Sequence, residues 1–408
     1  MNMSSVFYSI PRPNWIEIDL DALQHNIRAI RDLIPKNCQI LLPVKADAYG
    51  HGSLAISHTA VHAGVEWLGV AHLFEGILLR QHGIRIPILI LGSVEEADFP
   101  FIEEFKLTPS ISELAIAEKY NRWLAPKNIK VTVHLKIDTG MHRYGFSQHD
   151  LSEISKILNL SHIKVQGIFS HLATADIKGH SATLAQIESF TNILESLRKN
   201  GMEIPLAHIA NSAGLLSGQA PALDMIRPGI AVYGYNPCAN EPHPLLRPVL
   251  RMKATVRQVR TIAAGESVSY GYVWTAKQHT KVATVAIGYG DGYMRSCTNS
   301  GVMYIKNTPC AIIGRVCMDA VMLDVSHIAD LQVGEVVDVI NGELSPNISL
   351  EAISAHSNTI SYEIVTRVAR RLYRKYVFQG EKLRWDQLKK RLQIPDFCEK
   401  PYSLPSES

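Results

Sequence analysis

The sequence predicts an α/β chain, a (β/α)8 barrel of the TIM type followed by a mainly β C-terminal domain, and two observations predict it. Between residues 40 and 234, eight short apolar runs alternate with amphipathic stretches. The runs lie at 40–45, 67–71, 86–91, 106–111, 131–137, 163–169, 206–209 and 224–234. Strands alternating with helices build a parallel sheet, and eight such units close a barrel. Beyond about residue 245 the pattern changes to short apolar runs divided by turn residues, without long helices between them.

The segments Ser53–Ala63, Glu113–Trp123 and Ala182–Lys199 have helical spacing and length. The proline-rich stretch Asn236–Pro248 reads as the linker. Strands are then expected at Val256–Val259, Lys281–Val285, Val302–Ile305, Ala311–Ile313, Val321–Val325 and Val336–Ile340. This gives a barrel domain over 13–245, a β domain over 246–378, and an extra basic tail over 379–408 that ends in a partly disordered segment.

Composition narrows the function. The 408 residues are 46% hydrophobic and 19% charged, an ordinary globular balance. A net charge of +3, without a basic patch interleaved with aromatics, argues against nucleic acid and for a small-molecule partner. No segment has the length of a membrane span or the pattern of a secretory signal. The six cysteines form no CxxC pair, as expected of reduced thiols in a cytoplasm. His58 and His62 share a helix face but lack the glutamate of HExxH, so they read as a surface pair and no metal site is expected. The glycines of Gly288–Gly292 lack the GxGxxG spacing of a dinucleotide loop.

Lys45 ends the apolar run Ile40–Val44 and opens the loop Lys45-Ala46-Asp47-Ala48-Tyr49-Gly50-His51-Gly52. A strand that delivers an amine to a polar pocket suits Schiff-base chemistry, because desolvation lowers a lysine's pKa. The string PVKADAYGHG resembles the cofactor-lysine motif of the alanine racemases, fold-type III enzymes that use pyridoxal 5'-phosphate (PLP). The resemblance recurs, in the family's order, at WIEIDLDAL, HLKIDTGMHRYGF, FSHLATAD, HIANSAG, DMIRPGIAVYG, SVSYGY, IGYGDGY and GRVCMD, and spans residues 13 to 378.

The resemblance implies roles residue by residue. Lys45 would carry PLP, with Tyr49, Asn211, Ser212, Gly229 and Ile230 around its phosphate. Arg227 would meet the pyridine nitrogen, and as an arginine it would donate a hydrogen bond without surrendering a proton. Racemisation needs proton-transfer groups on both faces of the α-carbon. Lys45 and Tyr270 are the implied pair, with His171 beside the tyrosine. Arg143 and the Met318 amide would receive the substrate carboxylate, and Lys136, carbamylated in many relatives, would orient Arg143. Tyr289, Asp291, Arg295 and Asp176 would line the channel.

The family also implies a homodimer in which Tyr270 and Met318 reach the partner's Lys45, and D-alanine supplied to peptidoglycan. Three other readings stand beside it: a serine or broad-spectrum racemase, a decarboxylase of the same fold type, and a non-enzymatic PLP carrier. His142, Tyr144, Arg370 and the stretch Arg371-Leu372-Tyr373-Arg374 depart from the usual family pattern.

Overall fold

The computed structural model describes residues 12–239 and 242–395, and the chain divides into two compact units. One comprises residues 23–232, 236–239 and 389–395; the other comprises 12–22, 233–235 and 242–388. The first strand, β1 (Asn14–Asp19), belongs to the second unit although it precedes the barrel.

The barrel unit holds eight parallel strands: β2 (Gln39–Pro43), β3 (Trp67–Val70), β4 (Ile88–Ile90), β5 (Thr108–Ile111), β6 (Val131–Lys136), β7 (Ile163–Phe169), β8 (Leu206–His208) and β9 (Met225–Ile226). Each falls on one of the eight apolar runs. Such runs form strands buried on both faces, because helices cover the outside and side chains fill the inside. Leu41, Trp67, Leu89, Phe169 and Met225 pack together inside.

The last run, 224–234, yields only a two-residue strand, since Pro228 lacks an amide for the ladder. Closure between β8 and β9 therefore relies on single bonds. Asp224 N donates to Ala207 O at 3.1 Å and Arg227 N to Ala210 O at 2.9 Å. Asp224 Oδ2 accepts from Ala207 N at 2.8 Å.

In the other unit a nine-stranded sheet is centred on β10 (Leu250–Ile262), far longer than the expected 256–259. β1 lies between β10, to which it is antiparallel, and β16 (Tyr373–Phe378), to which it is parallel. The unit also contains β11 (Thr280–Val285), β12 (Val302–Ile305), β13 (Thr308–Ala311), β14 (Val321–Asp324), β15 (Val336–Ile340) and β17 (Glu381–Leu383). β13 lies earlier than expected because it pairs with β12 across a tight turn at Lys306-Asn307, both at positive φ. Part of the expected tail is regular structure: β17 pairs with β16, and Trp385–Arg391 is a helix. Pro401–Ser408, where a disordered end was expected, lies outside the described residues.

Candidate active site

Five barrel strands deliver polar side chains just past their C-terminal ends, the face where such barrels do chemistry. Lys45 follows β2, Lys136 ends β6, His171 follows β7, Asn211 and Ser212 follow β8, and Arg227 follows β9. All six belong to the barrel unit.

Arg227 is the hub. Its side chain is buried, and its Nη1 donates to His208 Nδ1 at 2.8 Å. Nη2 donates to Ser170 O at 2.5 Å, to Ile209 O at 3.2 Å and to His171 Nδ1 at 3.3 Å. Desolvation pulls the guanidinium down to about 9, which still leaves it charged at neutral pH. These donors settle the tautomers around it. An arginine only donates, so Nδ1 of His208 and of His171 must accept, and each ring carries its proton on Nε2. His208 Nε2 then donates to His134 Nδ1, 3.0 Å away. Burial, followed by the Arg227 charge, keeps His134, His171 and His208 neutral, with His134 lowered to about 3. Nε–H of Arg227 makes no hydrogen bond among the described residues.

Lys45 sits at the same mouth. Burial is the main cause of its lowered pKa, with Arg143 and Arg227 adding and Glu75 opposing. Lys136 is buried, makes no salt bridge among the described residues, and lies with Nζ 4.3 Å from the centre of the Phe169 ring. Its pKa falls well below normal through burial, then through Arg227 and Arg143. Arg143 lies on a loop that Asp138 Oδ1 folds by accepting from the amides of Gly140, Met141 and His142 at 2.9 to 3.1 Å. The guanidinium is exposed and donates no hydrogen bond among the described residues.

These groups fit an anionic, carbonyl-bearing cofactor. Four cationic side chains share one mouth, a desolvated amine is among them, and a cradle of small groups stands opposite. A Cβ on Gly229 would lie 2.9 Å from Tyr49 Oη, so only glycine lets the phenol pack this close to that backbone. Ser212 Oγ accepts from Ala231 N at 3.2 Å, and Asn211 caps the short helix Ser212–Leu216 through Gly214 N at 2.9 Å. Ile230 follows the glycine in the same turn. Asp176 is exposed on the loop after β7.

In both of its halves the chain matches one family. Residues 18–237 match the profile "Alanine racemase, N-terminal domain" and residues 249–376 the profile "Alanine racemase, C-terminal domain". The chain belongs to the alanine racemase family. It is similar to the alanine racemase of Halothermothrix orenii, 37% identical over 369 residues that cover 90% of this chain and 97% of that protein. Among solved structures it resembles the Clostridium difficile 630 alanine racemase in complex with cycloserine, at 32% identity and a TM-score of 0.84, covering 92% of this chain and 98% of that one. It also resembles the Bartonella henselae alanine racemase with covalently bound pyridoxal phosphate, at 28% identity and a TM-score of 0.82, covering 90% and 100%.

The remaining expected residues lie in the β unit. Tyr270 opens a short 3-10 turn between Ser269 at φ 68° and Gly271 at φ 69°. Ser269 Oγ anchors this turn by donating to Arg315 O at 2.7 Å. The phenol is 71% exposed and borders a cavity of about 570 Å³ with Tyr272, Arg260, Ser267, Thr284 and Met322. Met318, also exposed, is held through its carbonyl by Gly290 N at 2.9 Å, and Cys317 O by Tyr289 N at 3.0 Å. Tyr289 and Arg295 are exposed.

Asp291 corrects one expectation. It is 1% exposed, accepts from Gly288 N at 3.0 Å and from Arg371 Nε at 2.7 Å, and therefore braces the loop instead of lining a channel. Arg371 also reaches Asp319 Oδ1 at 2.6 Å, which ties the Met318 loop to the Tyr289 loop.

The histidine pair needs correcting too. His58 is buried, with Nε2 2.9 Å from His82 O, and among the described residues no three metal-ligating side chains gather anywhere. His134, His208 and Glu75 were given no role by the sequence, and Arg371 only marked a departure from the family pattern. The signal for the two histidines is a lone imidazole inside an apolar strand run, VTVHLK and LAHI.

Proposed function

We propose that this chain is a PLP-dependent racemase that interconverts L- and D-alanine. The observation that carries this reading is a desolvated Lys45 amine at the same barrel mouth as an Arg227 immobilised by two neutral histidines and two carbonyls. PLP, when bound, withdraws electrons from the α-carbon of an attached amino acid and so acidifies its α-proton. Lys45 would hold the cofactor, and Tyr49, Ser212, Asn211 and the amides of Gly229 and Ile230 would hold its phosphate. Arg227 would present its remaining Nε–H to the ring nitrogen. A guanidinium donates there without releasing a proton, which limits how much charge the ring accepts and favours return of the proton to the α-carbon.

Lys45 Nζ then serves one face of the α-carbon as general base or acid, since desolvation keeps its amine available near neutral pH. Tyr270 serves the other face, with His171 beside it as a supporting residue. Arg143 and the Met318 amide orient the substrate carboxylate, and Lys136, as a carbamate, would turn its burial among cations into an ion pair with Arg143. Tyr289, Arg295 and Asp176 would border the approach. Tyr270 and Met318 would be supplied by a second subunit of a homodimer. Support for this lies in the exposure of Tyr270, Tyr272 and Met318, because large apolar side chains left in water mark a surface that a partner covers.

No helix among the described residues is long and apolar enough to cross a membrane. Cys38, Cys238, Cys297, Cys310 and Cys317 are free thiols, which supports a cytoplasmic setting, and the family resemblance points to D-alanine supplied to peptidoglycan.

Borohydride reduction followed by peptide mass spectrometry tests the anchor, and a racemisation assay over a panel of amino acids tests the substrate. A pyridoxyl adduct on Lys45 and fastest turnover of alanine are expected. An adduct on another lysine, or a preference for a larger amino acid, would overturn the reading.

A further inference from the structure

The backbone that joins Lys45 to Tyr49 is left-handed. Ala46, Asp47, Ala48 and Tyr49 have φ values of 51°, 54°, 53° and 53°, and Gly50 follows at 78°. In that conformation Cβ crowds the following carbonyl, so single residues visit it and successive non-glycine residues rarely do. Something outside the turn must hold it. Its backbone bonds include Ala48 N to Val44 O at 2.9 Å, Gly50 N to Ala46 O at 3.0 Å, His51 N to Ala48 O at 3.1 Å and Gly52 N to Asp47 O at 2.9 Å, and the buried His51 Nδ1 lies 2.8 Å from Tyr49 O.

Two carboxylates add to these. Asp47 Oδ1 accepts from Ser53 N at 2.8 Å, beyond the turn. Glu75, in the first turn of the helix Leu73–Gln81, places Oε1 2.6 Å from Ala46 N. Its Oε2 accepts from Ala71 N at 2.7 Å and His72 N at 3.1 Å. One carboxylate thus joins the first left-handed residue after Lys45 to the end of β3. Three amide donors on one carboxylate form charge-assisted bonds that fix it firmly.

We propose that Glu75 is a positioning residue for the reactive lysine: it clamps the left-handed turn at Ala46, so that Lys45 and Tyr49 face one ligand together. The proposal rests on Lys45 and Tyr49 being the PLP ligands. The same carboxylate opposes the lowering of the Lys45 pKa by burial and Arg143, so it also limits how far the amine is discharged. A glutamate that merely caps the helix Leu73–Gln81 would contact Ala71 and His72 but would have no need of Ala46.

The test compares full-length wild type with Glu75→Ala, Glu75→Gln, Ala46→Gly and the double variant Glu75→Ala/Ala46→Gly. The readouts are the PLP dissociation constant by absorbance titration and the melting temperature. Glu75→Ala should weaken PLP binding about tenfold, the scale of one lost charge-assisted bond. Glycine at 46 accepts positive φ without a steric penalty, so the double variant should recover to within about threefold of wild type. Ala46→Gly alone should stay within about twofold.

If Glu75→Ala does not fold, Glu75→Gln, which keeps one acceptor oxygen, takes its place and should show a smaller loss with the same rescue. A lower melting temperature with unchanged PLP affinity, or a loss that Ala46→Gly does not repair, would overturn the clamp. Failure of wild type to bind PLP at Lys45 would instead overturn the functional reading beneath it.

Discussion

Among the described residues, Arg80 and Arg227 are buried in the barrel unit without a carboxylate partner, and they do different things. Arg80 directs its donors only at backbone: Phe105 O and Lys106 O at 3.0 Å, Ile84 O at 2.9 Å and Ile86 O at 2.7 Å. Arg227 divides its donors between two carbonyls and two imidazoles and, among the described residues, leaves Nε–H unused. Burial lowers both, Arg80 to about 10 and Arg227 to about 9, so desolvation does not separate them. Their partners do. Carbonyls cannot titrate or switch tautomer, so Arg80 stitches loops. Imidazoles can, so Arg227 sets the protonation state of the barrel mouth.

Reversing the charge at the mouth should break this contrast most severely. Arg227→Glu places a carboxylate beside His208 Nδ1 and, on the proposed reading, near the PLP ring nitrogen, where it could share a proton that arginine withholds. Racemisation should fall at least 100-fold, the scale of losing a preorganised electrostatic contact. The share of turnovers diverted to transamination should rise, read as pyruvate formed per alanine racemised. An unchanged ratio in a variant that still binds PLP would mean that Arg227 holds the histidines without tuning the cofactor.

How much of this was legible depends on whether the partners are close in sequence. Lys45 and Tyr49 share one short motif, and Arg227-Pro228-Gly229 another, so pattern sufficed. The eight apolar runs located every barrel strand, because strands buried on both faces need little but apolar residues. What was hidden is non-local. His134 meets His208 across 74 positions, and Glu75 meets Ala46 across 29. Neither histidine nor glutamate belongs to a motif that names its partner. Asp291 misled for a related reason: a polar residue in a glycine-rich loop looks like lining until Arg371, 80 positions on, is seen to bury it. The left-handed turn had no signal beyond Gly50 and Gly52, since Ala46 and Ala48 are residues that avoid that conformation.

Acid should reveal the imidazole chain next. His134 is held near 3 against an ordinary value of 6.5, so the unfolded chain binds its proton first. Its contribution to stability is intact above pH 6.5 and is lost as pH falls from there toward 3, on the order of 5 kcal/mol in all. His134→Gln keeps an acceptor for His208 Nε2–H but cannot titrate. Urea melts between pH 7 and pH 4 should show a shallower decline for the variant. Equal slopes would mean that other groups govern the acid limb.

The smallest effect is expected from a third arginine, which isolates burial from hydrogen-bond count. Arg31 is as well bonded as Arg80: Nη2 meets both oxygens of Glu66 at 2.8 Å and Gly64 O at 2.9 Å, while Nη1 meets Cys38 O at 2.9 Å. The pair is partly open to solvent, with side chains 28% and 39% exposed. In Arg31→Lys, water can replace whatever the ammonium fails to reach, so the cost should be below about 1 kcal/mol. In Arg80→Lys a single ammonium cannot serve four carbonyls, and those left over are buried, so about 3 kcal/mol should be lost with turnover unchanged. Denaturant melts of the two variants side by side measure the difference directly. Equal losses would show that the number of bonds, and not their removal from water, sets what an arginine contributes in this barrel.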